Sequence, residues 1–390
     1  MAGTSNLSRK GISAQLFPRQ KANGAETIGM HGSTAPMLID NSLSVINRTG
    51  AYYIAKDLCQ ALVPEFADVR YWRLGSAAPE GLIRKIAARL MMLEILWFGD
   101  RAIFRIGDRI GARGFRLFLD PLYVLRSELT ERDIVLCHDV GPLTHQALYD
   151  PRTVEIYRIA YDKIACRKPG VVFVSDWSKG NFERLYGTDF RFLKTISLYV
   201  RNELFDGPEN AIPGIDGRFF LTVGAFETRK NQIAALEAYR NGRFFDQGIK
   251  YVLCGSRGDG HQEIFDLATT IPGVEIPGYV PDEQLRWLYA NAEAFVLPSL
   301  LEGFGMPALE AAYMGLLPIV SEDSALVEAV DGVCAQIPPA EPEAIAQAMR
   351  KALSRSPGEK EETARLLRDV ASRATKDRFL TEWKNLLFSQ

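Results

Sequence analysis

Short apolar runs and longer stretches of helical periodicity alternate along this chain from about residue 37 onward. Met37-Leu38-Ile39-Asp40 reads as a short strand, Asn47-Arg48-Thr49-Gly50 as a loop and Tyr52 to Leu62 as a helix. Asp133 to Cys137 and Gly170 to Val174 predict further buried strands. The Gly/Pro-containing stretch Phe205 to Gly217 reads as a linker, and a second series starts after it. Its strands are expected at Phe219–Val223, Tyr251–Cys254, Ala294–Leu297 and Leu317–Val320. Its helices are expected near Asn231–Tyr239, Pro281–Ala290, Pro307–Met314 and Pro342–Leu353. Phe379, Leu380, Trp383, Leu386 and Leu387 form a helical stripe that must cover another apolar surface. Residues 1–36 are polar and Gly/Ser/Thr-rich, and read as an irregular or mobile leader. The pattern predicts an α/β protein with two domains of similar size, 37–205 and 206–375, a cleft between them, and a final helix over 376–390.

Length and composition narrow the class by exclusion. At 390 residues, two domains are favoured over one enlarged core. The formal net charge of −2 argues against wholesale nucleic-acid binding, so no nucleic acid is expected as a partner. The five cysteines (Cys59, Cys137, Cys166, Cys254, Cys334) lack metal or redox spacing and read as reduced thiols of a cytoplasmic protein. The first residues show no apolar core of a secretory signal. No uncharged apolar run approaches the ~20 residues that span a bilayer. The longest candidate, Leu90 to Phe98, carries Glu94. A cytoplasmic protein is expected, soluble or peripheral on the inner face of the plasma membrane.

Candidate chemistry concentrates at expected strand ends. The run Ala294 to Ser299 leads into Glu302-Gly303-Phe304-Gly305-Met306-Pro307-Ala308-Leu309-Glu310. A helix start there offers unpaired N–H groups and a positive dipole end to an anion. Glycines admit close approach of a ligand to the backbone, and Pro307 suits the first helical position. Glu302 and Glu310 can then accept hydrogen bonds from hydroxyls. Gly224-Ala225-Phe226-Glu227-Thr228-Arg229-Lys230-Asn231 follows another strand, which puts a guanidinium and an ammonium at the ligand edge of the sheet. That pair suits a diphosphate, with a solvated basic pair as the bland alternative.

Other motifs are weaker. His138-Asp139 ends the Asp133–Cys137 strand, where a histidine can donate to a sugar hydroxyl or phosphate, act as acid or base, or be structural. Val174-Ser175-Asp176-Trp177-Ser178-Lys179 reads as a strand end entering a helix capped by Ser175 or Asp176. Gly255-Ser256-Arg257-Gly258-Asp259-Gly260 fails as a phosphate loop because His261 stands where a lysine is needed. Residues 82–126 interleave basic and apolar side chains, and Arg101, Arg105, Arg109 and Arg113 recur every fourth position. This segment reads either as a helix pair with solvated arginines or as a face for an anionic membrane.

The order of these motifs resembles the retaining GT-B glycosyltransferases of family 4. The likeness is strong over residues 219–330, weaker over 37–200 and absent in the leader; Pro-Ser-x-x-Glu-Gly-Phe-Gly-x-Pro-x-x-Glu is its specific part. The resemblance implies two Rossmann-like domains facing across a cleft, an acceptor domain over 37–205 and a nucleotide-sugar domain over 206–375. It also implies a C-terminal helix, 376–390, crossing back to the first. Glu310 would hold the donor ribose, and Glu302 the donor sugar near its reacting carbon. Gly303, Phe304 and Gly305 would face sugar and distal phosphate, while Arg229 and Lys230, with Gly224 at the start of their loop, would grip the diphosphate. His138 would sit near the donor sugar across the cleft, with Gly50 and Asp139 on the acceptor side. Catalytic roles thus fall to Glu302, His138, Arg229 and Lys230.

Breaking a glycosyl–phosphate bond builds negative charge on the diphosphate, and two cations can stabilise it as a metal does elsewhere. No Asp-x-Asp pair occurs, so neither metal nor other cofactor is expected. The favoured reaction takes mannose from GDP-mannose to a glycan or lipid-linked acceptor in polysaccharide or glycolipid synthesis. Front-face displacement is preferred over Glu302 as a covalent nucleophile. The alternatives are a UDP-sugar donor, or a non-catalytic nucleotide-sugar-binding protein. A nicotinamide-dependent dehydrogenase is disfavoured by the missing glycine fingerprint. The loop before Gly50 lacks paired glycines, which leaves the acceptor less defined than the donor.

Overall fold

A computed structural model describes residues 37–46, 50–74, 78–98 and 114–388. The leader and the Arg101–Arg113 series lie outside the described residues, as do Asn47, Arg48 and Thr49 of the first loop.

Two six-stranded sheets organise the chain, and every strand pairing within them is parallel. The first contains β1 (Met37–Asp40), β2 (Ala67–Arg70), β3 (Phe115–Phe118), β4 (Ile134–Cys137), β5 (Gly170–Phe173) and β6 (Phe192–Thr195), in the order β2-β1-β3-β4-β5-β6. The second contains β7 (Arg218–Val223), β8 (Ile249–Cys254), β9 (Val274–Gly278), β10 (Ala294–Leu297), β11 (Pro318–Ser321) and β12 (Ala335–Ile337), in the order β12-β11-β10-β7-β8-β9. Helices cover both faces, which is why central strands read as unbroken apolar runs. Along β7, Phe219 and Leu221 join one apolar cluster while Phe220 joins another with Ala234, Ala235 and Ala238 of the Gln232–Asn241 helix. The period of two is the strand's own geometry.

In the second sheet the winding reverses between β7 and β10. Loops leaving two such neighbours diverge to opposite faces and open a crevice at the carboxyl ends of the strands. The Gly224–Asn231 loop leaves β7, and the Pro298–Gly305 loop leaves β10. Both expected donor motifs therefore flank the same crevice.

The chain crosses between the halves twice, through residues 196–217 and again near Ala374. The second crossing leads into the helix Lys376–Phe388, which buries Phe379, Trp383, Leu386 and Leu387. That helix packs on the first half: Lys376 Nζ lies 2.8 Å from Asp57 of the Gly50–Phe66 helix, and Phe379 meets Tyr199 at 4.9 Å between ring centroids. The crossings are joined by a hydrogen bond from Val200 N to Ala374 O at 3.0 Å.

The structure corrects two local expectations. The donor helix begins at Met306, so Pro307 is its second residue and Gly305, at φ +104°, is its cap. Within residues 82–126 the described part is not helical throughout. Gly81–Phe98 is a helix, but Phe115–Phe118 is the central strand β3. Arg116 pairs with Asp133 at 3.2 Å and the buried Arg126 with Glu94 at 2.8 Å, so neither faces a membrane.

Candidate active site

The site is built where the β7 and β10 loops meet. Leu300 N donates to Arg229 O at 2.8 Å, and Asn231 Nδ2 donates to Pro298 O at 3.1 Å. These bonds explain why an asparagine follows the Arg-Lys pair: it ties one ligand loop to the other. Gly224, at φ +152°, leaves room for the Lys230 stem; a Cβ there would stand 3.1 Å from Lys230 Cδ. Lys230 can thus turn inward under the loop.

Three groups converge on Glu302. Lys230 Nζ donates to Oε1 at 2.6 Å, Ser299 Oγ to the same oxygen at 3.0 Å, and Arg229 Nη1 to Oε2 at 3.1 Å. Arg229 also reaches Glu227 at 2.7 Å. Burial alone would push the Glu302 carboxyl up, but Lys230 and Arg229 outweigh it and hold the group at about 2. Charges are disposed unevenly. Lys230 is buried beneath Glu302, whereas the Arg229 side chain keeps 28% of its surface exposed. Of the two expected diphosphate ligands, Arg229 is the accessible cation, and Lys230 is the buried counter-ion of Glu302.

Across the crevice stands the carboxyl edge of the first sheet. Gly303 lies so close to His138 that a Cβ at 303 would come 2.3 Å from the His138 carbonyl oxygen. The His138 ring places Nε2 3.2 Å from Leu119 O. A carbonyl only accepts, so Nε2 carries the hydrogen and Nδ1 remains an acceptor in the neutral ring. Burial lowers the His138 pKa, against the Leu119 hydrogen bond and the Asp139 charge, and so favours that neutral ring. Asp139 turns its carboxylate to Gly141 N at 2.7 Å. Gly50 opens its helix opposite Met306, with room for a Cβ at 3.6 Å from Met306 Sδ, so the close approach seen here does not require glycine. Phe304 is buried, and Gly305 caps the donor helix.

Glu310, four residues into that helix, is also buried. Its oxygens are met by Arg201 Nη2 at 2.7 Å and Tyr289 OH at 3.1 Å. The structure thus places Glu302, Arg229, Lys230 and Gly224 in one cluster, His138 and Asp139 against Gly303, and Glu310 in a separate cluster with Arg201.

Several residues were not singled out from sequence for this site. Ser175 caps the Asp176–Tyr186 helix as expected, accepting from Ser178 N. Yet Ser175 Oγ and Ser178 Oγ also lie 2.6 and 3.0 Å from the Gly303 carbonyl oxygen, so both hydroxyls latch the first half onto the glycine motif. Glu328 accepts from Asp176 N and Trp177 N at 2.7 and 2.9 Å and reinforces the joint. Gly141 faces Leu301 so closely that a Cβ would stand 2.2 Å from its Cδ2. The signal for the serines was their position at a strand's carboxyl end; Gly141 and Arg201 gave none, because their partners are distant in sequence. A cavity of about 360 Å³ beside Leu129, Ile159 and Cys166 shares no residue with these groups, so chemistry rather than concavity locates the site.

Comparison with known proteins bears on this geometry. The family model for group 1 glycosyl transferases matches residues 210–369. The chain is 28% identical over 226 residues to O-antigen chain mannosyltransferase B of Escherichia coli, covering 55% of this chain and 59% of that one. It is 26% identical over 249 residues to the serotype-specific mannosyltransferase WbdA of Escherichia coli, covering 57% of this chain and 29% of that one. The chain thus spans less than two thirds of the length of either relative. The structure of Anabaena HepE, solved with UDP and glucose, superposes with a TM-score of 0.65 at 15% identity, over 91% of this chain and 100% of that one. At that identity the likeness shows the fold: two parallel sheets in the GT-B arrangement.

Proposed function

We propose, from the premise that this chain belongs to the group 1 glycosyltransferases through residues 210–369, that it moves a hexose from a nucleotide-diphosphate sugar to a glycan or lipid-linked acceptor. One observation carries the reading: a buried carboxylate and two cations, Glu302 with Lys230 and Arg229, sit at the switch point of the second sheet beside a helix start. An anion arriving there meets the exposed Arg229 edge and the positive end of the Met306–Tyr313 helix. As the diphosphate departs, these groups gain interaction with the growing charge, which is the condition for catalysis. The reaction is read as independent of metal, and unchanged turnover in EDTA is the check. Glu302 is a poor covalent nucleophile, since two cations and a hydroxyl already engage it; this favours front-face displacement with retention. His138 and Asp139 border the reacting end from the acceptor side.

Mannose from GDP-mannose is the favoured donor, supported by the two relatives named mannosyltransferases. A UDP-sugar is the alternative, supported by the fold relative solved with UDP and glucose. A panel of nucleotide sugars separates them by thermal stabilisation and slow hydrolysis. GDP-mannose should stabilise most, and Glu302→Gln should abolish turnover while retaining binding. A panel in which no nucleotide sugar raises the melting temperature overturns the reading; turnover intact in Glu302→Gln means that Glu302 does not carry the chemistry, and binding without any turnover by wild type leaves a binding protein.

The acceptor side of the proposal includes an anionic membrane surface. The Gly81–Phe98 helix turns Ala87, Met91 and Ile95 inward and leaves Leu82, Ile86, Leu90, Leu93 and Trp97 on an exposed face, with Leu82 at 72% and Trp97 at 76% exposure. Arg84, Lys85 and Arg89 flank that face, and Glu94, the acid of this helix, is occupied by Trp72, Arg73 and Arg126. A basic rim around an apolar face suits the headgroup region. Among the described residues no helix is long and apolar enough to cross a membrane, so the contact proposed is lateral. Flotation with anionic vesicles should recover the protein, and Trp97→Ser should reduce recovery; equal recovery with neutral and anionic vesicles overturns this part.

A further inference from the structure

Glu310 is only 3% exposed, and a carboxylate so deeply buried stays ionised only beside a cation or several donors. Its cation comes from neither sheet. Arg201 belongs to the first crossing segment, one residue after Val200, whose N–H joins the two crossings. Its Nη2 bonds Glu310 Oε1 at 2.7 Å, while Tyr289 OH bonds Oε2 at 3.1 Å. The same guanidinium lies 5.0 Å from the centroid of the Tyr53 ring, on the Gly50–Phe66 helix of the opposite half. Arg201 is the outer partner, with 27% of its side chain exposed against 4% for Glu310, and its buried Nε makes no hydrogen bond. A carboxylate offers about four lone-pair positions. Arg201 and Tyr289 occupy one on each oxygen and leave one on each, the pattern into which a vicinal diol donates.

We infer that Arg201 is the positioning residue of the donor site: it orients Glu310 so that the free lone pairs of both oxygens receive the ribose hydroxyls of a nucleotide sugar, and through Tyr53 it ties that arrangement to the opposite half. This rests on the donor-site reading of Glu310. The groups facing the pair are the Tyr289 phenol with the Cys254 thiol behind it, and the Tyr53 ring. Without Arg201, the Glu310 carboxylate loses its charged partner and the bond that orients it.

The test measures binding of GDP-mannose and UDP-glucose by calorimetry. Wild type is compared with Arg201→Gln, Arg201→Lys and Glu310→Gln. Arg201→Gln should weaken the better donor by about 10-fold or more, the scale of a lost charged hydrogen bond. Arg201→Lys, which keeps the charge, should stay within a few-fold of wild type, and Glu310→Gln should bind weakly. In a transfer assay the Arg201→Gln effect should fall on donor KM rather than kcat. Wild-type binding that survives Arg201→Gln unchanged, or a loss in Arg201→Lys as large as in Arg201→Gln, overturns this inference alone. Absence of binding by wild type overturns the donor-site reading and this inference with it.

Discussion

Replacing Gly303 with alanine probes the joint between the two halves with a single methyl group. The new Cβ would stand 2.3 Å from the His138 carbonyl oxygen, whereas carbon–oxygen contacts of this kind settle at about 3.3 Å. The shortfall is about 1 Å, and backbone on both sides must supply it. Gly303 has an ordinary backbone conformation, so alanine adds the clash without adding strain at its own φ. Separation by that distance also stretches the bonds from Ser175 and Ser178 to the Gly303 carbonyl, now 2.6 and 3.0 Å. A reacting group displaced by about 1 Å loses roughly 100-fold in rate, about 2.7 kcal/mol. Donor binding should change little, because Arg229 and Glu310 stay in place. The assay pairs steady-state transfer, or donor hydrolysis, with calorimetric donor affinity. Near-normal kcat in Gly303→Ala would refute the reasoning, as would a loss carried wholly by donor affinity.

Three further outcomes are expected. Glu302→Ala leaves Lys230 buried without its counter-ion and should destabilise the fold by about 3 kcal/mol or more in urea unfolding; a change below 1 kcal/mol would mean that Lys230 relaxes to solvent. The Glu302 carboxyl is depressed from 4.5 to about 2, so its stabilising contribution is complete above pH 4.5 and is lost as pH falls towards 2. The stability gap between wild type and Glu302→Gln should therefore narrow across that window, and a gap independent of pH counts against the ion pair. Ser175→Ala with Ser178→Ala removes two hydroxyl donors to one carbonyl and a helix cap, and should cost about 2–3 kcal/mol of stability together with kcat; full activity would show that the latch is dispensable.

The parallel sheets and the donor motifs were legible because their signals are local. Val296 and Leu297 read as a buried strand by their neighbours, and Glu302 and Glu310 stand in one continuous motif. Arg229 and Lys230 were legible as cations at a strand end, but their inequality was not. Lys230 is buried because Gly224 leaves space for its stem and Glu302 meets its ammonium, a consequence of two loops meeting 72 residues apart. Arg201 was invisible for the same reason: its partner Glu310 is 109 residues away, and nothing beside it in sequence announces a carboxylate. Phe115–Phe118 misled because basic and apolar interleaving looks alike in an amphipathic helix and in a central strand edged by ion-paired arginines.

The bond between Val200 N and Ala374 O joins the only two places where the described chain passes from one half to the other. Mechanically this is a pin through both leaves of a hinge. Any swing of one half against the other must turn about that point, so displacement grows with distance from it. Arg201, next to the pin, travels little in such a swing. A spectroscopic label beside it should register almost nothing, while labels placed far from the pin on opposite halves should report the full arc.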